Sequence, residues 1–258
     1  MSETLSSNLG KYMKSVFRGG PVRSLLQQVR GQHKIAPQDA SVEDKNHGEL
    51  HFWEGWVAEN GPGPEPDYYR KFMMDMGNIR DEAFFADRVC LDIGCGPMGS
   101  LTWLRNARFA IGLDPLAEAY MRFGIERHSM LYLATSAERI PLPTGYVDIV
   151  FSMNSLDHVD QLYAVCKEVR RVLKPGGFFI GSLNLDEPPT LEEPWTLTEE
   201  LLEEHLFRGW EKQFYKIRPK LHDPSHFGPY KYFYEECPKE ILDKPGPRSL
   251  WCRFKVVK

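Results

Sequence analysis

An apolar run that leads into three closely spaced glycines constrains the fold of this chain most strongly. The run is Val89–Ile93, and the spacing Gly-x-Gly-x-x-Gly follows at Gly94, Gly96 and Gly99. A short apolar run before such a loop predicts a buried strand, and the glycines let the backbone turn sharply against a ligand. Because several kinds of nucleotide-binding sheet use this pattern, it predicts an α/β sheet with a ligand loop without choosing the ligand.

A carboxylate just ahead of the glycines separates two classes of ligand. Asp92 lies two residues before Gly94. The pyrophosphate of a dinucleotide would lie near the N-terminus of the helix expected at residues 101–105, where a neighbouring carboxylate would repel it. A ligand that carries an ammonium group would be attracted instead. The motif therefore favours a cationic ligand and leaves a nicotinamide dinucleotide as the weaker alternative.

Further segments have the pattern of strands and helices of the same sheet. Four apolar runs predict additional strands, at residues 109–114, 130–134, 146–152 and 178–183. A helical apolar stripe covers residues 162–173 and stops at Lys-Pro-Gly-Gly, a helix-breaking sequence. Alternating apolar residues at 210–218 and 250–257 indicate two more strands.

Taken together, the motifs resemble class I S-adenosylmethionine-dependent methyltransferases, in particular bacterial type 11 methyltransferase-domain proteins. The resemblance covers residues 89–183 and a short segment beyond, and its motifs are Leu-Asp-Ile-Gly-Cys-Gly-Pro-Met-Gly-Ser, Gly-Leu-Asp-Pro-Leu, Asn-Ser-Leu-Asp-His-Val, Arg-Arg-Val-Leu-Lys-Pro-Gly-Gly and Asp-Glu-Pro-Pro-Thr. It implies a Rossmann-like sheet that is mostly parallel and closes with a C-terminal antiparallel hairpin. This group of proteins does not fix the methyl acceptor.

The chain divides into two predicted parts. Residues 1–85 are expected to form a helical N-terminal cap, and residues 86–258 the Rossmann-like methyltransferase domain. Segments 184–209 and 221–249 are expected on the substrate side, the second as an insertion in the C-terminal hairpin. Basic residues in the first 34 positions fit either a solvated helical surface or a flap that attracts an anionic acceptor.

The resemblance implies S-adenosyl-L-methionine as cofactor, with S-adenosyl-L-homocysteine as product. The residues it assigns to the cofactor are Asp92, Gly94, Cys95, Gly96, Gly99, Asp114, Pro115, Leu116, Ser136, Ala137, Glu138, Asn154 and Ser155. Asp114 ends the second strand, where an acidic ribose ligand is expected. Ser136 stands where the family often has an aspartate on the adenine amino group, and a hydroxyl accepts that hydrogen bond more weakly.

Candidate catalytic and substrate residues are less strongly indicated. His158 follows the fourth strand and has the side chain best suited to take a proton near neutral pH, and Asp157 precedes it. A role for His158 in ordering the loop is an equal alternative. Candidates for acceptor contacts are Trp53, Trp56, Tyr69, His222, His226 and Tyr230. His47 and His51 have metal-ligand spacing but no third ligand, so no metal site is predicted.

These observations predict a methyltransferase that acts on a nitrogen or oxygen atom of a small-molecule acceptor. The alternatives are a peptide or protein methyltransferase that docks through residues 221–249, and a non-catalytic protein that binds S-adenosylmethionine. A net charge of −4 argues against nucleic acid, and no apolar run reaches the roughly 20 residues of a membrane helix. Five scattered cysteines without a CxxC pair fit a cytoplasmic protein. The oligomeric state stays open.

Overall fold

The computed structural model describes residues 42–221 and 228–257, which contain a seven-stranded sheet. The strands are β1 (Val89–Ile93), β2 (Phe109–Leu113), β3 (Leu131–Leu133), β4 (Val147–Met153), β5 (Leu173–Leu185), β6 (Glu211–Pro219) and β7 (Arg248–Lys255). The α-helices are α1 (Val42–Asn60), α2 (Pro66–Met76), α3 (Ala117–Tyr120), α4 (Leu162–Val172), α5 (Glu199–Leu202), α6 (Lys231–Tyr234) and α7 (Lys239–Leu242). Short 3₁₀ or π turns cover Glu82–Phe85, Met121–Phe123, Ile125–Arg127, Ala137–Arg139, Glu203–Phe207 and Gly228–Tyr230.

The strands follow the order β3-β2-β1-β4-β5-β7-β6 across the sheet. Strands β1 to β5 pair in parallel, whereas β7 is antiparallel to both β5 and β6. This confirms the predicted fold class, a Rossmann-like sheet with an antiparallel C-terminal pair. The chain builds outward from β1 through β2 and β3, then returns to add β4 on the other side of β1. Ligands of open α/β sheets bind beyond the carboxyl ends of the strands at such a switch point.

Apolar side chains on the two faces of the sheet belong to separate cores. Val150 of β4 shares one core with Val165 of α4, and Phe151, the next residue, shares the other with Met73 of α2. This alternation follows from the two-residue period of a strand, which sends successive side chains to opposite faces. The stripe on α4 predicted from the sequence therefore buries one face of the sheet, and α2 of the N-terminal cap buries the other.

The segment after the glycine loop differs from the prediction. A helix was expected at residues 101–105, but residues 97–105 form consecutive turns. The Thr102 hydroxyl and the Trp103 indole donate hydrogen bonds to the carbonyls of Gly99 and Ser100, at 2.7 and 2.9 Å. Side chains that bind nearby backbone in this way compete with a helical ladder. Without that helix, the predicted repulsion of a pyrophosphate at its N-terminus has no structural basis.

Residues 174–177 also behave differently from the prediction. Lys-Pro-Gly-Gly ends α4 as expected, but it belongs to β5, which begins at Leu173 immediately after the helix. The strand tolerates this sequence because its pairing with β4 shifts register between Val147 and Ile149, and Gly176 has a φ of +80°. Such an irregularity at the start of a strand is where proline and glycine are accepted.

None of the helices in residues 42–221 and 228–257 combines the length and apolar character that crossing a bilayer requires.

We expect α2 to be part of the same cooperative unit as the sheet, although the sequence places it in the cap of residues 1–85. Met73 is fully buried between α2 and the sheet, so Met73→Ala is expected to lower the free energy of unfolding by about 2–5 kcal/mol. Met121 is 52% exposed, and Met121→Ala should change it by less than about 0.5 kcal/mol. Urea denaturation measures both. Equal, small effects would indicate a cap that folds apart from the sheet.

Candidate functional site

A cavity opens at the carboxyl ends of β1, β2 and β4, where the topology predicts a ligand. It has about 1050 Å³ of empty space, part of which is open to solvent. Most of the predicted cofactor residues line it: Gly94, Cys95, Gly96, Asp114, Pro115, Leu116, Ser136, Ala137, Glu138, Asn154 and Ser155. Asp92 and Gly99 belong to the same loop but do not line the cavity.

Asp114 connects the end of β2 to the glycine loop. Its Oδ2 accepts a hydrogen bond of 3.0 Å from the Gly96 amide, and its Oδ1 accepts one of 2.9 Å from the Leu116 amide. Burial raises the pKa of Asp114 to about 6, against the lowering effect of the two amides. Each carboxylate oxygen has a second lone pair, so Asp114 can still accept hydrogen bonds from two hydroxyls in the cavity.

Asp92 lies behind the cavity wall rather than on it. Its side chain is buried, the Ser100 hydroxyl donates to Oδ2, and Oδ1 has no hydrogen-bond partner within residues 42–221 and 228–257. Burial is the main cause that raises the pKa of Asp92 to about 7. The expected direct contact between Asp92 and a ligand ammonium is therefore not prepared in this structure. The turns at residues 97–105 explain this, because they bring Ser100 back onto the carboxylate.

Ser136 and Glu138 are joined by a local network next to the cavity. The Ser136 hydroxyl donates to the Glu138 carboxylate and accepts a 3.3 Å hydrogen bond from the Glu138 amide, which leaves one lone pair of Ser136 for a further donor. The other carboxylate oxygen of Glu138 accepts hydrogen bonds of 3.0 Å from the amides of Asp160 and Gln161. Burial raises the pKa of Glu138, but these hydrogen bonds outweigh it and the net pKa is lowered. Glu138 thus holds the start of α4 against the Ala137–Arg139 turn.

Helix α1 forms the roof of the cavity. Trp53 packs over the glycine loop so closely that a Cβ built on Gly96 would lie 2.8 Å from the indole ring. The indole Nε1 also donates a 3.0 Å hydrogen bond to Glu49 Oε1. Gly96 has a φ of +58°, so both its conformation and this contact require glycine. The structure therefore shows the part of the N-terminal cap in α1 closing over the site, which the sequence left open.

His158 lines the cavity, whereas Asp157, the other catalytic candidate, does not line it. The two ring nitrogens of His158 lie 3.7 Å from carboxylate oxygens of Glu49 and Glu193. Asp157 is buried and its Oδ2 accepts a 3.0 Å hydrogen bond from Asn184. The described residues show no hydrogen bond between His158 and Asp157, although a ligand atom of each lies within 4.8 Å of the other.

The predicted acceptor residues separate into three groups. Trp53 and Tyr69 line the cavity, whereas Trp56 and Tyr230 do not. Tyr230 is 3% exposed and accepts a hydrogen bond from the Asn154 amide, so it supports a cavity residue from behind. His222 and His226 lie outside the described residues.

Several cavity residues were not anticipated from the sequence. They are Lys45, Asn46, Glu49, Met153, Val159, Asp160 and Glu192, together with Ile93 and Leu113 at the ends of β1 and β2. The strand ends could have been inferred from register, but the residues of α1 carry no motif. Asp157, His158 and Glu193 also offer ligand atoms within 4.8 Å of one another, an arrangement that could hold a metal ion although no metal site was predicted.

Comparisons with known proteins agree with this geometry. Residues 91–181 match the family model described as a methyltransferase domain. Malonyl-(acyl-carrier protein) O-methyltransferase of Enterobacter lignolyticus is 31% identical over 43% of this chain and 45% of that protein. The chain thus spans about half the length of the curated relatives it matches.

Solved structures show the same fold at low sequence identity. The (4+2)-cyclase SpnF has a TM-score of 0.51 and 17% identity over 74% of this chain and 80% of that chain. Geranyl diphosphate C-methyltransferase of Streptomyces coelicolor, crystallised with S-adenosyl-L-homocysteine among its ligands, has a TM-score of 0.50 and 17% identity, covering 72% and 77%. The family match and these structures confirm the resemblance: the chain contains a class I S-adenosylmethionine-dependent methyltransferase domain.

The buried carboxylate of Asp92 predicts a stability that falls as the pH rises. With a pKa of about 7 in the folded protein, Asp92 keeps a proton that the unfolded chain loses near pH 4. The folded state then binds more protons between about pH 4 and 7, so stability is lost across this interval, by at most roughly 4 kcal/mol from this group. Asp114, raised to about 6, acts in the same direction.

Urea denaturation at several pH values from 5 to 8 tests this prediction. Asp92→Asn cannot ionise and should flatten the decline, whereas Glu118→Gln, at an exposed position on α3, should leave the slope as in the wild type. An unchanged slope in Asp92→Asn would mean that Asp92 is ionised throughout.

Proposed function

We propose that this class I methyltransferase domain binds S-adenosylmethionine in the cavity beneath α1 and transfers its methyl group to a nitrogen or oxygen atom of a small molecule. The observation that carries the proposal is the position of Asp114. Its carboxylate lies on the cavity wall at the end of β2, held by an amide of the glycine loop. That is the place and the chemistry of a ribose ligand in nucleotide-binding α/β sheets.

In this proposal the adenosine occupies the side of the cavity formed by β2 and the Ala137–Arg139 turn. Asp114 accepts the ribose hydroxyls, Leu116 lies against the adenine, and Ser136 accepts from the adenine amino group. The methionine part lies along Gly94 and Gly96 towards Asn154. Asp92 lies behind the glycine loop, so it attracts the ligand ammonium electrostatically and without direct contact. The ammonium in turn favours the ionised form of Asp92.

Catalysis requires little chemistry from the protein. The sulfonium of the cofactor activates the methyl group, so the enzyme mainly aligns the acceptor and excludes water. The roof formed by α1, with Trp53 against Gly96, serves both purposes. An amine acceptor needs only to arrive unprotonated, whereas a hydroxyl must lose a proton, and His158 is the cavity side chain suited to promote that loss.

The enclosed shape of the site supports a small acceptor over a peptide. Helix α1 covers the cavity, and Tyr230, in the described part of the 221–249 segment, packs behind Asn154. Acceptors of the relatives are diverse, since one is named an O-methyltransferase and another a C-methyltransferase. Absence of nucleic-acid binding and a cytoplasmic location remain predictions from composition.

A non-catalytic protein that binds S-adenosylmethionine is the second candidate. The fold alone leaves this candidate open, because one fold hosts several functions, and the (4+2)-cyclase SpnF shares the fold. Production of S-adenosylhomocysteine during a screen of amine and hydroxyl compounds distinguishes the two candidates. Binding without turnover over a broad panel would support the second.

Asp114→Ala is expected to weaken S-adenosylmethionine binding about tenfold to a hundredfold, since hydrogen bonds to a charged group contribute about 1.5–3 kcal/mol. Isothermal titration calorimetry measures the affinity. Glu118→Ala, an exposed carboxylate on α3, is the matched control and should bind as the wild type does. Wild-type affinity in Asp114→Ala would show that the ribose lies elsewhere.

For a hydroxyl acceptor found in that screen, His158→Ala should lower turnover by about 100-fold or more, because assisted proton removal contributes that much. Its affinity for S-adenosylmethionine should change less than threefold. His51→Ala is the control, since His51 lies exposed on α1. Unchanged turnover in His158→Ala would mean that His158 does not assist proton removal and that its role is to order the loop.

A further inference from the structure

We propose that Asp157, His158 and Glu193 form a binding site for a divalent metal ion at the edge of the cavity. Each residue contributes one ligand atom, and the three atoms lie within 4.8 Å of one another. Asp157 and His158 follow β4, and Glu193 lies in the segment after β5. The site therefore joins the carboxyl ends of two neighbouring strands on the side where the acceptor is expected.

The separation of the ligand atoms suits one metal ion. Two atoms bonded to the same ion at about 2.1 Å lie about 3.0–4.2 Å apart, for angles between 90° and 180°. His158 Nε2 and Glu193 Oε1 are 3.7 Å apart, inside this interval. The side chains of His158 and Glu193 are half-buried, so small rotations of these two side chains can bring their ligand atoms to a similar distance from the Asp157 oxygen.

Asp157 provides the second, independent observation. Its side chain is 3% exposed, yet Oδ1 has no hydrogen-bond partner among the described residues. Such a buried, unsatisfied acceptor is costly and rare in folded proteins. Asn184 holds the other oxygen, Oδ2, through a 3.0 Å hydrogen bond and thereby fixes the orientation of the carboxylate. Partners of this kind commonly orient metal-ligating carboxylates.

His158 has the environment of a metal-bound imidazole. While Nε2 faces Glu193, Nδ1 faces Glu49 Oε2 at 3.7 Å, and Glu49 is itself fixed by the Trp53 indole. Metal-ligating histidines usually direct their second nitrogen to a carboxylate or a carbonyl, which sets the tautomer. Helix α1 thus supplies the outer carboxylate of a carboxylate–histidine–metal arrangement.

The charge balance of the cluster also favours a cation. Glu49, Asp157 and Glu193 surround one imidazole, and none of the three carboxylates has a lysine or arginine partner in the described part of the chain. The ammonium of Lys45 is bound by Asp160 and by the carbonyl of His158 instead. A divalent ion would offset the excess negative charge that these side chains share.

One imidazole and two carboxylates suit ions of the Mn²⁺ to Zn²⁺ series. Because His158 lines the cavity, free coordination positions would face the acceptor. The pKa of an acceptor hydroxyl bound there would fall, so that its proton could pass to water at the open side of the cavity, and His158 would promote this loss by holding the ion. This role rests on the proposed function, whereas the metal site itself does not.

The test is a titration of the chelator-treated, full-length protein with Mn²⁺, followed by electron paramagnetic resonance of the free ion. One Mn²⁺ is expected per chain, and Glu193→Gln and Asp157→Asn should each weaken binding tenfold or more. Glu203→Gln, at an exposed carboxylate that is not a member of the cluster, is the control and should bind as the wild type does. Circular dichroism shows whether Asp157→Asn folds, and Glu193→Gln tests the proposal even if it does not.

Absence of a stoichiometric Mn²⁺ site, or equal affinity in Glu193→Gln and the wild type, would overturn the proposal and leave His158 simply placed between the carboxylates of Glu49 and Glu193. Calorimetry with S-adenosylhomocysteine on the same samples separates this failure from that of the proposed function. If the protein binds S-adenosylhomocysteine but does not bind Mn²⁺, only the metal site is wrong. If it binds Mn²⁺ but does not bind S-adenosylhomocysteine, the metal site stands and the proposed function is wrong.

Discussion

Two backbone amides converge on the carboxylate of Asp114, and the geometry of the site depends on them. One amide belongs to Gly96 in the loop after β1, and the other to Leu116 after β2. The carboxylate therefore holds two neighbouring loops in one position at the carboxyl edge of the sheet. The same atoms are where a ribose would bind, so the interaction that orders the site also presents its ligand-binding group.

A second constraint comes from the helix that covers this edge. Trp53 contacts the glycine loop and Glu49, and Glu49 faces His158 beyond the end of β4. One helical turn of α1 thus connects the predicted cofactor side of the cavity with the predicted acceptor side. Binding of a ligand beneath α1 would order both sides together, because the contacts that close the cavity also position His158.

The parallel strands and the cofactor loop could be predicted from sequence because their signals are local. The apolar composition of Val89–Ile93 is enough to predict a buried strand, and the helix-breaking sequence Lys-Pro-Gly-Gly marks the end of α4. The turns at residues 97–105 could not be anticipated, since the hydrogen bonds of Thr102 and Trp103 compete with helix formation only in the folded geometry. Asp92 was accordingly expected on the cavity wall and lies behind it.

The candidate site was harder to predict than the fold, because its partners are distant in sequence. Glu49 and Glu193 reach His158 from segments more than 30 residues away on either side, and neither lies in a recognisable motif. The catalytic candidate next to His158 in the sequence was Asp157, although consecutive residues seldom face each other, and its side chain binds Asn184. Tyr230 was expected to contact the acceptor, but it lies outside the cavity lining and supports Asn154 from behind, a position that only the packing reveals.

The central claim is that the cavity beneath α1 is the cofactor site of the methyltransferase domain. A crystal structure of the complex with S-adenosylhomocysteine tests it most directly. The account predicts ribose hydroxyls within hydrogen-bond distance of Asp114, the adenine beside Leu116 and Ser136, and the homocysteine along Gly94 and Gly96. A ligand bound outside this cavity, or one whose ribose does not reach Asp114, would contradict it.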